Sequence, residues 1–128
     1  MSIVDVMRSK EHFCCAGPVS AEDVKEAQSA LGCAFAEDYR KYVQELGVAS
    51  FDGHELTGIC PSPRLNVVDV TRRARLRHPE LAKSWYVIEE LNMDAVMICQ
   101  DASGSVHEVV PGCRPCQIAS GLKAYIEL

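Results

Sequence analysis

Residues 20–47, SAEDVKEAQSALGCAFAEDYRKYVQELG, write two short amphipathic helices back to back, each closed by a glycine, and this pair constrains the fold more than any other stretch of the chain. Ser20 is the N-cap of the first, with Asp23 three residues on as a near-variant of the capping box. Val24, Ala27 and Leu31 then recur at helical spacing until Gly32 ends the element. In the second helix Tyr39, Tyr42, Val43 and Leu46 form one apolar stripe, Glu37 and Asp38 complement the positive N-terminal end, and Gly47 closes it.

This stretch resembles the SUKH superfamily, whose N-terminal signature is a Leu-Gly, an apolar residue, a helix-starting turn and an Asp-Tyr-basic run. The matching residues are Leu31, Gly32, Phe35, Asp38, Tyr39, Arg40, Tyr42, Val43, Leu46 and Gly47. The resemblance continues through Asp94, the Gly104-Ser105-Val106 turn and strand, and a closing helix with Ser120, Leu122, Tyr125 and Ile126, so it covers most of the chain. One departure is Ala36, where the family usually has proline; alanine is a good helix former and keeps the helix start intact. The resemblance implies a bacterial immunity protein, not an enzyme, that binds and neutralises a cognate toxin domain, often a nuclease, of a polymorphic-toxin or contact-dependent growth-inhibition system.

The chain of 128 residues, 48% of them hydrophobic, suits one domain over residues 1–128 that buries roughly two-thirds of its unfolded surface. MSIVDVMRSKEHF carries acids and bases too early for a secretory apolar region, and no apolar run approaches the roughly 20 residues of a membrane span. A cytoplasmic protein without membrane contact is the expectation. Seven cysteines cannot all pair, and in a reducing compartment most serve as small core hydrophobes.

The net charge of −5 hides an asymmetry. Residues 64–83 hold Arg64, Arg72, Arg73, Arg75, Arg77 and Lys83 against Asp69 and Glu80, a local balance of +4 that leaves −9 on the remainder. An acidic body suits a basic protein partner better than a phosphate backbone, so no direct nucleic-acid binding is expected. The arginines also spread around their helix without interleaved aromatics, as a solvated face partly paired with neighbouring Asp and Glu would.

Elsewhere Ile3, Val6 and Met7 mark a short first helix, and Gly17-Pro18 separates it from the helix pair. Ser50 to Ile59, with a turn signal at Asp52-Gly53, reads as a short hairpin or bulged strand. Asn66 caps a helix through Val67, Val70 and Ala74 that must stop near His78, because Pro79 restricts the residue before it. Trp85–Leu91, Ala95–Gln100 and Ser105–Val110 are β-branched and aromatic runs that form an antiparallel meander, and Gln117–Leu128 returns to helical spacing. The fold class is α+β: an antiparallel meander with the N-terminal and C-terminal helices packed over one face.

No catalytic set emerges, for there is no GxSxG elbow and no Gly-rich phosphate loop, and His54, His78 and His107 have no spaced nucleophile. Glu89 and Glu90, as strand neighbours, point to opposite faces and cannot converge on one substrate atom. The acidic groups on and around the meander, Glu89, Glu90, Asp94 and Asp101, with Asp52 and Glu55 from the preceding turn, are instead the expected partner-contact surface. No cofactor or metal is expected. Two alternatives remain open. Cys113-Arg114-Pro115-Cys116 is a CxxC pair that could act as a redox dithiol or contribute to a zinc site with His107 or Cys99, although no second half-site is present. A regulatory adaptor for an endogenous protein would need the same kind of binding surface as an immunity protein.

Overall fold

A computed structural model describes residues 2–91 and 95–128. Helix α1 spans Ile3–Arg8, α2 Ala21–Leu31, α3 Glu37–Leu46, α4 Val67–Arg77 and α5 Leu122–Ile126. A small sheet joins β1 (Cys14–Cys15), β2 (Ala49–Phe51) and β3 (His54–Glu55), and a four-stranded antiparallel meander runs β4 (Tyr86–Leu91), β5 (Val96–Gln100), β6 (Val106–Val109), β7 (Cys116–Ala119). The chain is therefore α+β, and a single antiparallel bridge between Leu56 and Glu89 links the two sheets.

Local chemistry explains the helix ends. Ser20 Oγ accepts from the Asp23 N–H at 3.0 Å and the Asp23 carboxylate returns to the Ser20 N–H, a complete capping box, while Gly32 ends α2 at φ 67°. Asn66 Oδ1 accepts from the Val68 N–H at 3.0 Å, and α4 stops at His78 ahead of Pro79. Helix α3 has no side-chain cap at Ala36, whose N–H donates to the Tyr86 hydroxyl at 2.8 Å instead. Where α3 ends, the chain must pass very close to the segment after β3: Ile59 N–H donates to the Gly47 carbonyl at 3.0 Å, and a Cβ on Gly58 would collide with that carbonyl.

The main core packs the apolar stripes of α1, α2, α3 and α5 on Tyr86, Ile88, Ile98 and Val106 of the meander. Phe35, Tyr39 and Tyr86 pack edge-on or tilted against one another with centroids 4.7–5.1 Å apart. Burying tyrosines costs free energy unless each hydroxyl finds a partner: Tyr39 meets Thr57 Oγ1, Tyr42 donates to the Thr57 carbonyl, and Tyr86 donates to Gln100 Oε1, all at 2.7–2.8 Å. A second cluster joins Val70 and Ala74 of α4, with Leu81, to Val87, Met97, Cys99 and Val109. Those strand residues alternate with the first set, so α4 covers the opposite side of the meander from the terminal helices.

The chain departs from its sequence reading at two places. Gln117–Ala119 is not the start of a long C-terminal helix but part of β7, paired with Val106 and His107, and only Leu122–Ile126 is helical. A strand residue and a following helix residue that both face one core reproduce helical spacing, which is how Ile118 and Leu122 mimic a single element. Cys14–Cys15 pairs with Ser50 and Ala49 as a two-residue edge strand that no β-propensity marked.

Candidate partner-binding surface

The β2–β3 hairpin turns at Asp52 (φ 46°) and Gly53 (φ 84°), and the Leu56–Glu89 bridge lays its far end beside β4. A register shift between Val87 and Glu89 turns both Ile88 and Glu89 toward the main core, whereas Glu90 pairs with Met97 on the other side. Glu89 and Glu90 thus diverge, as strand alternation requires.

Glu89 is not the surface carboxylate that the expected partner-contact face requires. It is 2% exposed, and it accepts hydrogen bonds from His54 Nδ1 at 2.9 Å, from the Glu55 N–H at 2.7 Å and from the Tyr125 hydroxyl. Burial by itself would push the Glu89 carboxyl up, but these donors outweigh it and hold the group below its ordinary value. The hydrogen bond to Glu89 in turn holds the His54 imidazole above its ordinary value against partial burial. Glu89 therefore belongs to a buried tie between the hairpin, β4 and α5, outside any contact surface.

On the outer side, Glu55 and Glu90 do lie close together, lining one recess with Thr57, Arg64 and Leu65. Each carboxylate has a cation beside it. Arg64 makes a two-pronged contact with Glu55, one prong at 3.0 Å, which keeps the Glu55 carboxyl below its usual range, and Arg73 reaches Glu90 at 3.7 Å. Asp52 is exposed at the hairpin turn. Asp101 stands at the opposite end of β5 from the residue paired with Glu90. There Asp101 accepts from the Ser103 and Ser105 N–H groups and faces His107 Nε2 at 3.0 Å. Burial opposes ionisation of Asp101, yet its hydrogen bonds to Ser103 and His107 hold its pKa below the ordinary value, and Trp85 stacks on His107 with centroids 4.0 Å apart. Asp94 lies outside the described residues. Of the six carboxylates read from the sequence, then, Glu55 and Glu90 share one patch, Asp52 and Asp101 stand apart from it, and Glu89 is interior.

The basic helix shows the expected partial pairing with acids at Arg73, which reaches Glu90, and also turns its arginines on the backbone. Arg72 donates to the Ala30 carbonyl, Arg73 to that of Pro63 and Arg75 to that of Lys83, so three guanidinium groups brace neighbouring loops. Cys113 and Cys116 are exposed around the β6–β7 turn, a hairpin setting unlike the strand-to-helix start of a redox dithiol. His107 is engaged with Asp101, Cys99 is buried, and the described residues contain no group of three or more side chains placed to hold a metal ion. Arg64, Arg73 and His54, which shape the acidic patch, carried no distinguishing sequence signal: their partners lie 9, 17 and 35 residues away.

An α+β domain with paired N-terminal helices over an antiparallel meander is the class of protein the geometry defines. The chain belongs to the SUKH superfamily: the family model SUKH_5, described as SMI1-KNR4 cell-wall, matches residues 2–111. This is a family commonly made of immunity proteins and is not a known enzyme family. Comparison with curated proteins finds no match. No helix among the described residues is long and apolar enough to cross a membrane.

Proposed function

We propose that this chain is an immunity protein that binds a cognate toxin domain stoichiometrically and covers its active site. The observation that carries the reading is the family match over residues 2–111. Charge supports it, since the chain outside residues 64–83 carries −9 and would attract a basic toxin such as a nuclease. The contact surface in this reading contains Glu55 and Glu90, with Asp52 and Asp101 as separate contacts; Glu89 acts from inside by fixing the hairpin. Exchange of Arg64 and Arg73 for cations of the partner would convert internal ion pairs into intermolecular ones.

The test is affinity capture of the tagged chain from its host, with mass spectrometry of whatever co-purifies near one-to-one. Recovery of a toxin domain, released faster by Glu55→Lys with Glu90→Lys, is the expected result. Unchanged dissociation kinetics in that double variant would remove the surface assignment. A second reading is a regulatory adaptor for an endogenous protein, and recovery of a housekeeping protein in place of a toxin would select it.

A further inference from the structure

Helix α4 carries two complementary features on its outer face. Between α2 and α4 runs a groove of about 310 Å³ whose apolar lining includes Ala27, Ile59 and Val68. Asp23 and Glu26 of α2 and Asp69 of α4 line it as well, and no Lys, Arg or His among the described residues makes an ion pair with any of the three. Nor are these carboxylates gathered closely enough to hold a metal ion. The second feature is Leu76, which is 83% exposed within the run Arg72-Arg73-Ala74-Arg75-Leu76-Arg77. Arg73 reaches Glu90, whereas Arg72, Arg75 and Arg77 have no ion pair among the described residues. The carbonyl groups that Arg72 and Arg75 meet leave their charges uncompensated. Asp69 and Leu76 are seven residues apart, roughly two helical turns, so they lie on one face of α4 about 10 Å apart.

We infer that the α2–α4 groove seats Leu76 of a second copy of this chain, with the two α4 helices packed antiparallel. In that arrangement the acidic groove at the N-terminal half of each α4 meets the leucine and arginines at the C-terminal half of the other. The same contact is then made twice about a twofold axis, as a closed dimer requires. Three uncompensated carboxylates face three uncompensated guanidinium groups at each contact, and the antiparallel helix dipoles also attract. The leucine supplies the apolar anchor and the charges set its register. One helix pair with its flanking groove is small for an interface, so the dimer is weak, with a dissociation constant on the order of 10–100 µM. The inference does not depend on the toxin reading, because it uses a groove that Glu55 and Glu90 do not line.

The experiment is sedimentation velocity of the full chain over about 5–500 µM, with a reductant present so that the exposed cysteines cannot cross-link copies. The expected result is a monomer–dimer equilibrium that salt weakens. Leu76→Glu, at an exposed position where the fold is not at stake, should raise the dissociation constant at least about tenfold. Two charge reversals then test the pairing: Glu26→Lys with Asp69→Lys in the groove, and Arg72→Glu with Arg77→Glu beside the leucine. Each reversed chain should be monomeric by itself. An equimolar mixture should dimerise again, because one contact of the mixed pair has both sides reversed and the other has both sides native. If the double groove variant does not fold, Glu26→Lys takes its place in the mixture. A chain that stays monomeric up to the highest concentration, a dimer unaffected by Leu76→Glu, or reversed chains that do not rescue each other would overturn the inference.

Discussion

Nδ1 of His54 stands 2.9 Å from Oε1 of Glu89, so a half-buried imidazole on a surface hairpin is held by a carboxylate in the interior. The same carboxylate takes the Glu55 N–H and the Tyr125 hydroxyl. One side chain therefore fixes the hairpin that presents Asp52 and Glu55 and also docks the C-terminal helix.

Removing that carboxylate leaves a part-buried N–H and a buried hydroxyl without acceptors and deprives His54 of its partner. Glu89→Ala is expected to cost about 2–4 kcal/mol. Urea denaturation of the variant measures this, and an unchanged midpoint would show that the tie contributes nothing.

The pair also sets a pH dependence. His54 binds its proton more tightly in the folded state, so its contribution is complete below the ordinary value of 6.5 and is lost as pH rises through the higher folded-state value. Glu89 shifts the other way: its contribution is complete above the ordinary value of 4.5 and is lost as pH falls through the lower folded-state value. For this pair, stability is greatest between those two ordinary values. Urea midpoints from about pH 4 to about pH 9 should show wild type losing its advantage over His54→Gln at the alkaline end. A difference that does not vary with pH would refute the coupling.

Asp38 performs a similar joining role at the other end of the core. Its carboxylate accepts the Leu122 N–H at 2.8 Å and the Gln100 amide at 3.1 Å, linking α3, β5 and α5. Asp38→Ala is expected to cost about 1–3 kcal/mol and to speed hydrogen exchange at Leu122, with Asp38→Asn retaining part of the protection. Exchange at Leu122 that is as slow in Asp38→Ala as in wild type would exclude the link.

Leu46 is fully buried on the α3 stripe, and Leu46→Ala should lower stability by roughly 2–5 kcal/mol. Partner binding should then weaken only to the extent that the chain unfolds. A denaturation curve identical to wild type would show that the stripe does not anchor the core.

Thiol labelling separates the cysteines by burial. Cys14, Cys15, Cys113 and Cys116 are exposed, whereas Cys99 is fully buried and its thiol is pushed up to about 12. Mass spectrometry after brief iodoacetamide treatment should find the four exposed residues alkylated and Cys99 modified only after denaturation. Early alkylation of Cys99 would mean that α4 does not close the second core.

Much of this architecture is determined by sequence alone, because its signals are local. The Ser20–Asp23 capping box, the Gly32 and Gly47 stops, the Asn66 cap and the break before Pro79 each depend on residues within one helical turn, and each is present in the folded chain. The meander was legible for the same reason, its β-branched runs being separated by turn residues. Tertiary structure decided the rest. Gln117–Ala119 became a strand because β6 was there to pair with it, and Glu89 became interior because His54, Glu55 and Tyr125, 34 to 36 residues away, converge to satisfy it. A carboxylate is indifferent to burial or solvent until its donors are in place, so the sign of its contribution, surface charge or buried tie, is written in distances that no local pattern contains.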